Sequence, residues 1–153
     1  MTDREQRLLE IAKEVINDNK DIGAKLTGSL MLSVMNIDKR REASDIDILC
    51  DELCEKGVGY PVVPKGFKNP IRKGFKSVVN AIQFVNDEGI KLEFMFSNEK
   101  SKVINGVACG ELLGMIEAKK RYIREDKNIY SFLKHAKDLI YLFSNNSKLW
   151  NKD

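Results

Sequence analysis

Two aspartates separated by a single residue are the strongest chemical signal in this sequence. Asp45 and Asp47 lie in residues 44–50, where polar and apolar residues alternate as in a half-buried strand. Successive strand side chains point to opposite faces, so the two carboxylates share one face about 6.6 Å apart. They repel each other unless protons or a cation compensate their charge, and Mg²⁺ or Mn²⁺ suits such oxygen ligands. The pair predicts a divalent-metal site.

A third carboxylate, Glu93, lies in a second alternating segment, residues 90–96. The apolar residues of this segment share one face, which places Glu93 on the other face. If this strand lies beside residues 44–50, Glu93 joins Asp45 and Asp47. Three carboxylates on one sheet face can bind two metal ions that activate a hydroxyl group and stabilise a leaving group.

A glycine and a serine supply a candidate phosphate-binding turn. Gly28 and Ser29 follow a predicted strand at residues 22–27 and precede a predicted helix at residues 30–37. The free backbone N–H groups and the positive dipole end of a helix start suit a phosphate. Gly28 lets the phosphate approach the backbone, and Ser29 adds a hydroxyl donor. A triphosphate could extend from this turn to metals on the two aspartates.

Each of these three features alone has a simpler explanation. A lone Asp-x-Asp in a strand is more often a solvated face, a lone Gly-Ser pair is most often only a turn, and Glu93 alone would be an ordinary polar residue. Their order along the chain favours function. The order is a strand, then the Gly-Ser turn, then a helix, then a strand with two aspartates, and finally a later strand with one carboxylate.

The elements that must position these residues predict an α+β domain with a small mixed β-sheet, helices packed on one side and a C-terminal helical pair. Residues 51–76 contain all three prolines and four of the ten glycines, which predicts a long connection. The predicted helices cover residues 2–19, 30–37, 111–124 and 130–143, and the predicted strands cover residues 22–27, 44–50, 78–85 and 90–96.

Composition excludes several classes of protein. With 153 residues, 42% of them hydrophobic and 32% charged, the chain fits one globular domain rather than a disordered polymer. A net charge of +3 is too small for a protein that coats nucleic acid with its whole surface. Three cysteines and one histidine supply neither a disulfide framework nor a four-ligand zinc site. No signal core or membrane-spanning run is present, so we expect a cytoplasmic protein.

The motifs together resemble the DNA polymerase beta-type nucleotidyltransferase superfamily. Its pattern is a hydrophobic residue with Gly-Gly or Gly-Ser, then two aspartates separated by a hydrophobic residue, then a later carboxylate between hydrophobic residues. The matching segments are residues 27–29, 44–48 and 92–94. The resemblance covers residues 22–96, about half of the chain. It implies a single domain over residues 1–153 with the nucleotidyltransferase fold.

The resemblance also implies a reaction and its residues. Nucleoside monophosphate would pass from a nucleoside triphosphate such as ATP to an acceptor hydroxyl, with release of pyrophosphate. Asp45 and Asp47 would bind the Mg²⁺ or Mn²⁺ ions that carry the triphosphate. Glu93 would complete one metal site and help to deprotonate the acceptor, while Gly28 and Ser29 would hold the outer phosphates.

This sequence departs from the family pattern in three respects. The spacer before Asp45 is longer than in the smallest members, the usual Arg-Gly after the Gly-Ser turn is missing, and the third carboxylate is Glu rather than the commoner Asp. In its C-terminal half the chain is similar to the abortive-infection toxin branch, which implies that Lys119 and Lys137 contact phosphate. A pair of amphipathic helices with solvated charges is an equal explanation of that half.

A basic segment at residues 65–76 bears on the acceptor. It contains five positive charges, no negative charge and two phenylalanines. Basic residues with interleaved aromatics can follow a phosphate backbone and stack on bases, although a solvated loop with local packing has the same composition. The acceptor could be RNA, a protein or a small molecule. The alternative function is a catalytically inactive nucleotidyltransferase-like module that binds a nucleotide or a partner, as an antitoxin does.

Overall fold

The computed structural model describes residues 1–51, 61–74, 80–125 and 128–146. In these ranges the chain forms four α-helices, one short 3₁₀ helix at Lys20–Ile22 and one mixed sheet of seven strands. The helices are α1 (Asp3–Asp18), α2 (Gly28–Val34), α3 (Leu112–Glu125) and α4 (Ile129–Asn145). The strands are β1 (Lys25–Thr27), β2 (Ile46–Cys50), β3 (Lys68–Gly74), β4 (Asn80–Val85), β5 (Lys91–Phe96), β6 (Lys102–Ile104) and β7 (Val107–Cys109).

The sheet has the strand order β3-β4-β5-β2-β1-β7-β6. The pairs β2–β5 and β1–β7 are parallel, and the other neighbours are antiparallel. The predicted α+β class with a mixed sheet is therefore confirmed. β2 lies at the centre of the sheet, so a residue on β2 has paired neighbours on both sides.

One face of the sheet forms the core beneath α1 and α2. The apolar residues that alternate along β2 and β5 are fully buried there, as expected from the period of two. α1 begins at a capping box, in which Thr2 and Glu5 exchange side-chain to backbone hydrogen bonds. The buried residues that carry this packing include Leu8, Ala12, Val15, Ile46, Ile48, Leu92 and Phe94.

The C-terminal helices α3 and α4 pack against each other and reach the opposite face of the sheet. The Tyr122 O–H on α3 donates a hydrogen bond to Met95 Sδ on β5 over 3.6 Å. Met95 alternates with the buried Phe94, so it lies on the face away from α1 and α2. The second sheet face is thus covered in part by a helical wall.

Three predictions about the elements are wrong or incomplete. Residues 68–74 are not part of a long connection but form the edge strand β3, and Pro70 lies where its pairing with β4 is irregular. The hairpin of β6 and β7 was not predicted, because strands of three residues show too little alternation. Asn105 and Gly106 join these strands with φ angles of 49° and 76°, as a two-residue hairpin turn requires. α2 begins at Gly28 rather than residue 30.

Residues 52–60, 75–79, 126–127 and 147–153 lie outside the described residues, so part of the predicted connection and the start of the predicted strand 78–85 are not described. Within the described ranges, no helix is both long enough and apolar enough to cross a membrane.

Candidate functional site

The Gly-Ser turn joins the centre of the sheet to α2. Thr27 ends β1 in an extended conformation, and Gly28 follows with a φ angle of 73°. A side chain at this position would be strained by that angle, and its Cβ would collide with a carboxylate oxygen of Asp47. Glycine is therefore required here both by the backbone and by the close approach of Asp47.

The strand register brings the carboxylates together beside this turn. Asp47 is the paired partner of Thr27 on β1 and of Glu93 on β5. Paired residues on neighbouring strands share a face at a strand spacing of about 4.8 Å. Asp45 immediately precedes β2 and lines the same cleft as the other two. The structure thus places all three predicted carboxylates on the face away from α1 and α2.

The electrostatics of this group favour a bound cation. Burial, Glu93 and Asp45 together raise the pKa of Asp47 to about 7, against the opposing effect of Lys119 and Lys134. Three carboxylates supply the hard oxygen donors that Mg²⁺ and Mn²⁺ prefer, so the donor chemistry fits a divalent ion. In the part of the chain that the structure describes, no three such side chains are grouped closely enough to hold an ion as they stand. Binding would require the side chains to move towards one another.

The carboxylates form the floor of a cleft with a volume of about 390 Å³. Its opposite wall is made by α3 and α4, which contribute mostly basic and aromatic side chains. Negative charge on the sheet therefore faces positive charge on the helices. The lining residues of this wall include Ala118, Lys119, Arg121, Tyr122, Ser131, Lys134 and His135.

A cluster of three cations around Asp138 lies at one end of the cleft. Arg41 Nη2 lies 2.8 Å from Asp138 Oδ2, Arg40 Nη2 lies 2.9 Å from Oδ1, and Lys119 Nζ lies 3.4 Å from Oδ2. Although burial raises the pKa of Asp138, these cations hold it well below its usual range. Three cations share one carboxylate, so the cluster keeps an excess of positive charge. Ser29 lines the small cavity beside it.

An aromatic pair connects α3 and α4 within this wall of the cleft. The rings of Tyr122 and His135 are 5.1 Å apart between centroids and tilted by 38°. Burial, Asp47 and Glu93 raise the pKa of Tyr122 to about 12. Burial, Lys119 and the neighbouring cations lower the pKa of His135 to about 4, so the imidazole is neutral at pH 7. Its buried Nδ1 has no hydrogen-bond partner among the described residues.

The predicted phosphate-binding lysines have different surroundings. Lys119 lines the cleft, where burial lowers its pKa against the opposing effect of Asp138. Lys137 is exposed and does not line the cleft. Lys134 and His135 take the inward positions on α4 instead, since successive helix residues turn by about 100°.

Sequence reasoning missed the contributions of Arg40, Arg41, Arg121 and Tyr122. The two arginines lie just before the paired aspartates, so their proximity in sequence to Asp45 was the available signal. The basic segment 65–76 contributes none of its described side chains, at residues 65–72, to the cleft lining. β3 lies two strands away from β5, which explains this separation.

Comparison with known proteins adds little information about the function of this chain. No protein-family model matches the chain, and no curated protein matches it either. One solved structure with a similar chain path is the lincomycin-bound crystal structure of the lincosamide antibiotic adenylyltransferase LnuA. Its sequence identity to this chain is 13% and its TM-score is 0.49, over 89% of this chain and 97% of that one. The chemistry proposed below rests on the residues of this chain.

Proposed function

We propose that this chain is a nucleotidyltransferase that uses Mg²⁺ or Mn²⁺ to move a nucleoside monophosphate from a nucleoside triphosphate to an acceptor hydroxyl. The observation that carries the proposal is the register of the central strands. It pairs Asp47 with Glu93 and packs Asp47 against Gly28. The proposed metal-binding carboxylates therefore meet the proposed phosphate-binding turn at one point of the sheet.

The distribution of charge supports a triphosphate as the ligand. Its outer phosphates need cations and N–H donors, which Ser29, Arg41 and Lys119 supply around the small cavity. Arg41 and Lys119 line both this cavity and the main cleft, so they lie between the two. A triphosphate would extend from this cationic end towards Asp45 and Asp47.

The proposed step forms one bond and breaks another at the α-phosphorus. The acceptor oxygen attacks phosphorus, and the bond to the oxygen that bridges to the β-phosphate breaks with its electron pair leaving on pyrophosphate. A metal ion held by Asp45, Asp47 and Glu93 would neutralise phosphate charge and lower the pKa of the acceptor hydroxyl. A Glu93 carboxylate oxygen takes the hydroxyl proton. Arg41 and Lys119 stabilise the charge on the departing pyrophosphate.

The test is transfer of label from each of the four α-³²P nucleoside triphosphates, with Mg²⁺ and a cell extract as the source of acceptors. We expect one or more extract components to become labelled, and Asp45→Asn and Asp47→Asn to abolish labelling while circular dichroism shows a folded chain. The matched control is Asp87→Asn, which alters an exposed carboxylate paired with Lys68. Full labelling by the Asp45 and Asp47 variants would contradict the proposal.

A catalytically inactive nucleotide-binding module is the second candidate. The cationic cluster around Asp138 favours it, because that cluster can bind phosphate without the carboxylate floor. The two candidates differ in pyrophosphate release. Thermal stabilisation by a nucleoside triphosphate with no pyrophosphate formed, even with extract present, would support the binding module over the enzyme.

A further inference from the structure

One row of paired residues crosses the floor of the cleft. Thr27 on β1 pairs with Asp47 on β2, Asp47 pairs with Glu93 on β5, and Glu93 pairs with Gln83 on β4. Neighbouring strands lie about 4.8 Å apart, so the row is about 14 Å long. Ser29 lines the cleft just after the Thr27 end, and Gln83 lines it at the other end. We call the end at Gln83 the β4 end of the cleft.

The direction in which pyrophosphate leaves determines what the β4 end receives. In phosphoryl transfer the attacking and leaving oxygens lie roughly in line with the phosphorus between them. Pyrophosphate departs towards Ser29 and Lys119, which both line the small cavity near β1. The acceptor hydroxyl must therefore approach from the opposite side, where Glu93 and Gln83 form the floor. The β4 end is thus the place for the acceptor.

The helical wall above the floor has two successive levels. At the first level, Lys119 Nζ on α3 and Asp138 Oδ2 on α4 are 3.4 Å apart. Three residues further along α3 and three residues back along α4, the ring centroids of Tyr122 and His135 are 5.1 Å apart. Three residues rise about 4.5 Å in a helix, so the aromatic pair lies almost one turn from the cations. The wall therefore changes from phosphate-binding cations to aromatic rings.

Tyr122 reaches the floor close to Glu93. Its O–H donates to Met95 Sδ over 3.6 Å, and Met95 follows Glu93 by two residues on the same face of β5. Such side chains are about 6.6 Å apart along a strand. The buried Nδ1 of His135, beside the Tyr122 ring, has no hydrogen-bond partner among the described residues. Native proteins seldom leave a buried polar atom unpaired outside a functional site, so the aromatic pair is a candidate binding surface.

A cation precedes each ring of this pair in the sequence. Arg121 precedes Tyr122 on α3, Lys134 precedes His135 on α4, and all four side chains line the cleft. Within the described part of the chain, neither Arg121 nor Lys134 forms an ion pair. Aromatic rings with adjacent cations are the features with which proteins stack nucleic-acid bases and hold their phosphates. The same two cations would repel a positively charged acceptor.

We propose, in an inference that rests on the proposed function, that the β4 end of the cleft binds a nucleotide unit as the acceptor. This unit is a free nucleotide or the last nucleotide of an RNA strand. Its base stacks on the Tyr122 ring, Arg121 and Lys134 hold its phosphate, and a ribose hydroxyl lies at Glu93, which takes the proton. The hydroxyl oxygen forms the new bond to the α-phosphorus, and pyrophosphate leaves with the electron pair of the broken bond.

The experiment offers defined acceptors to the purified full chain with Mg²⁺ and each α-³²P nucleoside triphosphate. The acceptors are the four nucleoside 5′-monophosphates, the four nucleosides, a short single-stranded RNA of random 3′ sequence and an aminoglycoside. We expect kcat/KM for the monophosphates or for the RNA to exceed that for the nucleosides at least tenfold, with no transfer to the aminoglycoside. A higher value for the monophosphates identifies a free nucleotide as the acceptor, and a higher value for the RNA identifies a strand end.

Variants separate acceptor binding from triphosphate binding. Tyr122→Leu should raise the acceptor KM at least tenfold, and Tyr122→Phe, which keeps the ring, should restore most of that loss. Arg121→Gln and Lys134→Gln should reduce the preference for nucleotides over nucleosides. Thermal-shift titration should show that each variant still binds the triphosphate, which also shows that it is folded. The matched control is Lys120→Gln, which changes an exposed cation of α3 that pairs with Glu117 and should leave the acceptor KM unchanged.

Several outcomes would overturn this acceptor and leave the proposed function intact. They are equal use of nucleotides and nucleosides, preferred transfer to the aminoglycoside, and label that appears in a cell extract only on molecules without a nucleotide. Weaker triphosphate binding by Tyr122→Leu with an unchanged acceptor KM would assign the ring to the donor base and would also overturn it. If neither the defined acceptors nor the extract become labelled, the proposed function fails and this acceptor fails with it.

Discussion

Gly28 shows how a single residue combines two requirements of the candidate site. Its φ angle is 73°, and a Cβ there would also meet the Asp47 carboxylate. Gly89 has a similar φ angle of 78° but has no atom within 4 Å of a Cβ position. A comparison of alanine substitutions at these two glycines therefore separates the free-energy cost of the backbone angle from the cost of crowding the Asp47 carboxylate.

We predict that Gly28→Ala lowers the free energy of unfolding by about 2–3 kcal/mol and that Gly89→Ala lowers it by about 1 kcal/mol. Only the first substitution should also weaken nucleoside triphosphate binding, because it displaces Asp47. Urea unfolding and a thermal-shift titration with ATP and Mg²⁺ measure the two effects. Equal losses of unfolding free energy in the two variants would show that the close contact with Asp47 does not contribute to the destabilisation.

Asp47 itself makes stability depend on pH. Its pKa is raised to about 7 by burial and by Glu93 and Asp45. A carboxyl group whose pKa is higher in the folded state binds its proton more tightly there, so the folded state loses stability as pH rises from about 4 to about 7. Above that range the ionised group remains a constant cost until a cation offsets it.

We predict that Asp47→Asn raises the free energy of unfolding by at least about 2 kcal/mol at pH 8 in EDTA, since one unit of pKa shift corresponds to about 1.4 kcal/mol. Near pH 4 the variant and the natural chain should have similar stability, because Asp47 is then protonated. Mg²⁺ should stabilise the natural chain and not the variant. Urea unfolding across this pH range checks the prediction, and a gain of the same size at pH 4 would argue against charge as its cause.

At the scale of elements, Asp138 connects three parts of the chain. It lies on α4, receives Lys119 from α3 and binds Arg40 and Arg41 from the loop that leads to β2. The side chains of Asp138 and Lys119 are 11% and 12% exposed. The cluster therefore holds the helical wall in position relative to the sheet.

We predict that Asp138→Asn destabilises the fold by about 2 kcal/mol at pH 7, because it leaves three cations without their shared partner. The pKa of Asp138 lies below its unfolded value, so this contribution is present above about pH 4 and is lost as pH falls through the folded pKa. Pyrophosphate should stabilise the variant more than the natural chain, since an added anion replaces the missing carboxylate. Thermal unfolding with and without pyrophosphate tests this, with Asp87→Asn as the exposed control.

Some elements were predictable because their patterns are local. α1 has a capping box and apolar residues at helical spacing, and β2 and β5 alternate clearly. The position of Glu93 beside Asp47 was predictable only on the condition that their two strands are neighbours. The pairing of strands that are distant in sequence depends on the packing of the whole sheet. Periodicity also predicted α4, but it could not decide between Lys134 and Lys137 as the inward lysine. Which side faces the cleft depends on contacts such as that between Asp138 and Arg41.

At the scale of the whole molecule, one buried carboxylate connects the N-terminal helix to the loop that leads to the site. Glu5 on α1 receives a hydrogen bond from Ser33 Oγ on α2 over 2.6 Å and from the Ala43 N–H over 3.1 Å. Lys39 Nζ lies 2.6 Å from the same carboxylate. Burial would raise the pKa of Glu5, but these partners together lower it to about 2. The Glu5 carboxylate therefore links α1, α2 and the segment before Asp45.

We predict that Glu5→Gln lowers the free energy of unfolding by about 3 kcal/mol at pH 7, as expected for a pKa about 2.5 units below its usual value of 4.5. Because the folded pKa is depressed, this stabilisation is present above about pH 4.5 and disappears as pH falls towards 2. Urea unfolding between pH 2.5 and pH 7 should therefore show a smaller acid dependence for the variant. The matched control is Glu88→Gln, which breaks an exposed ion pair with Arg7 and should leave the free energy of unfolding nearly unchanged. If Glu5→Gln also weakens pyrophosphate binding, the loop that carries Arg40 and Arg41 depends on α1 for its position; unchanged binding would confine Glu5 to stabilising the fold.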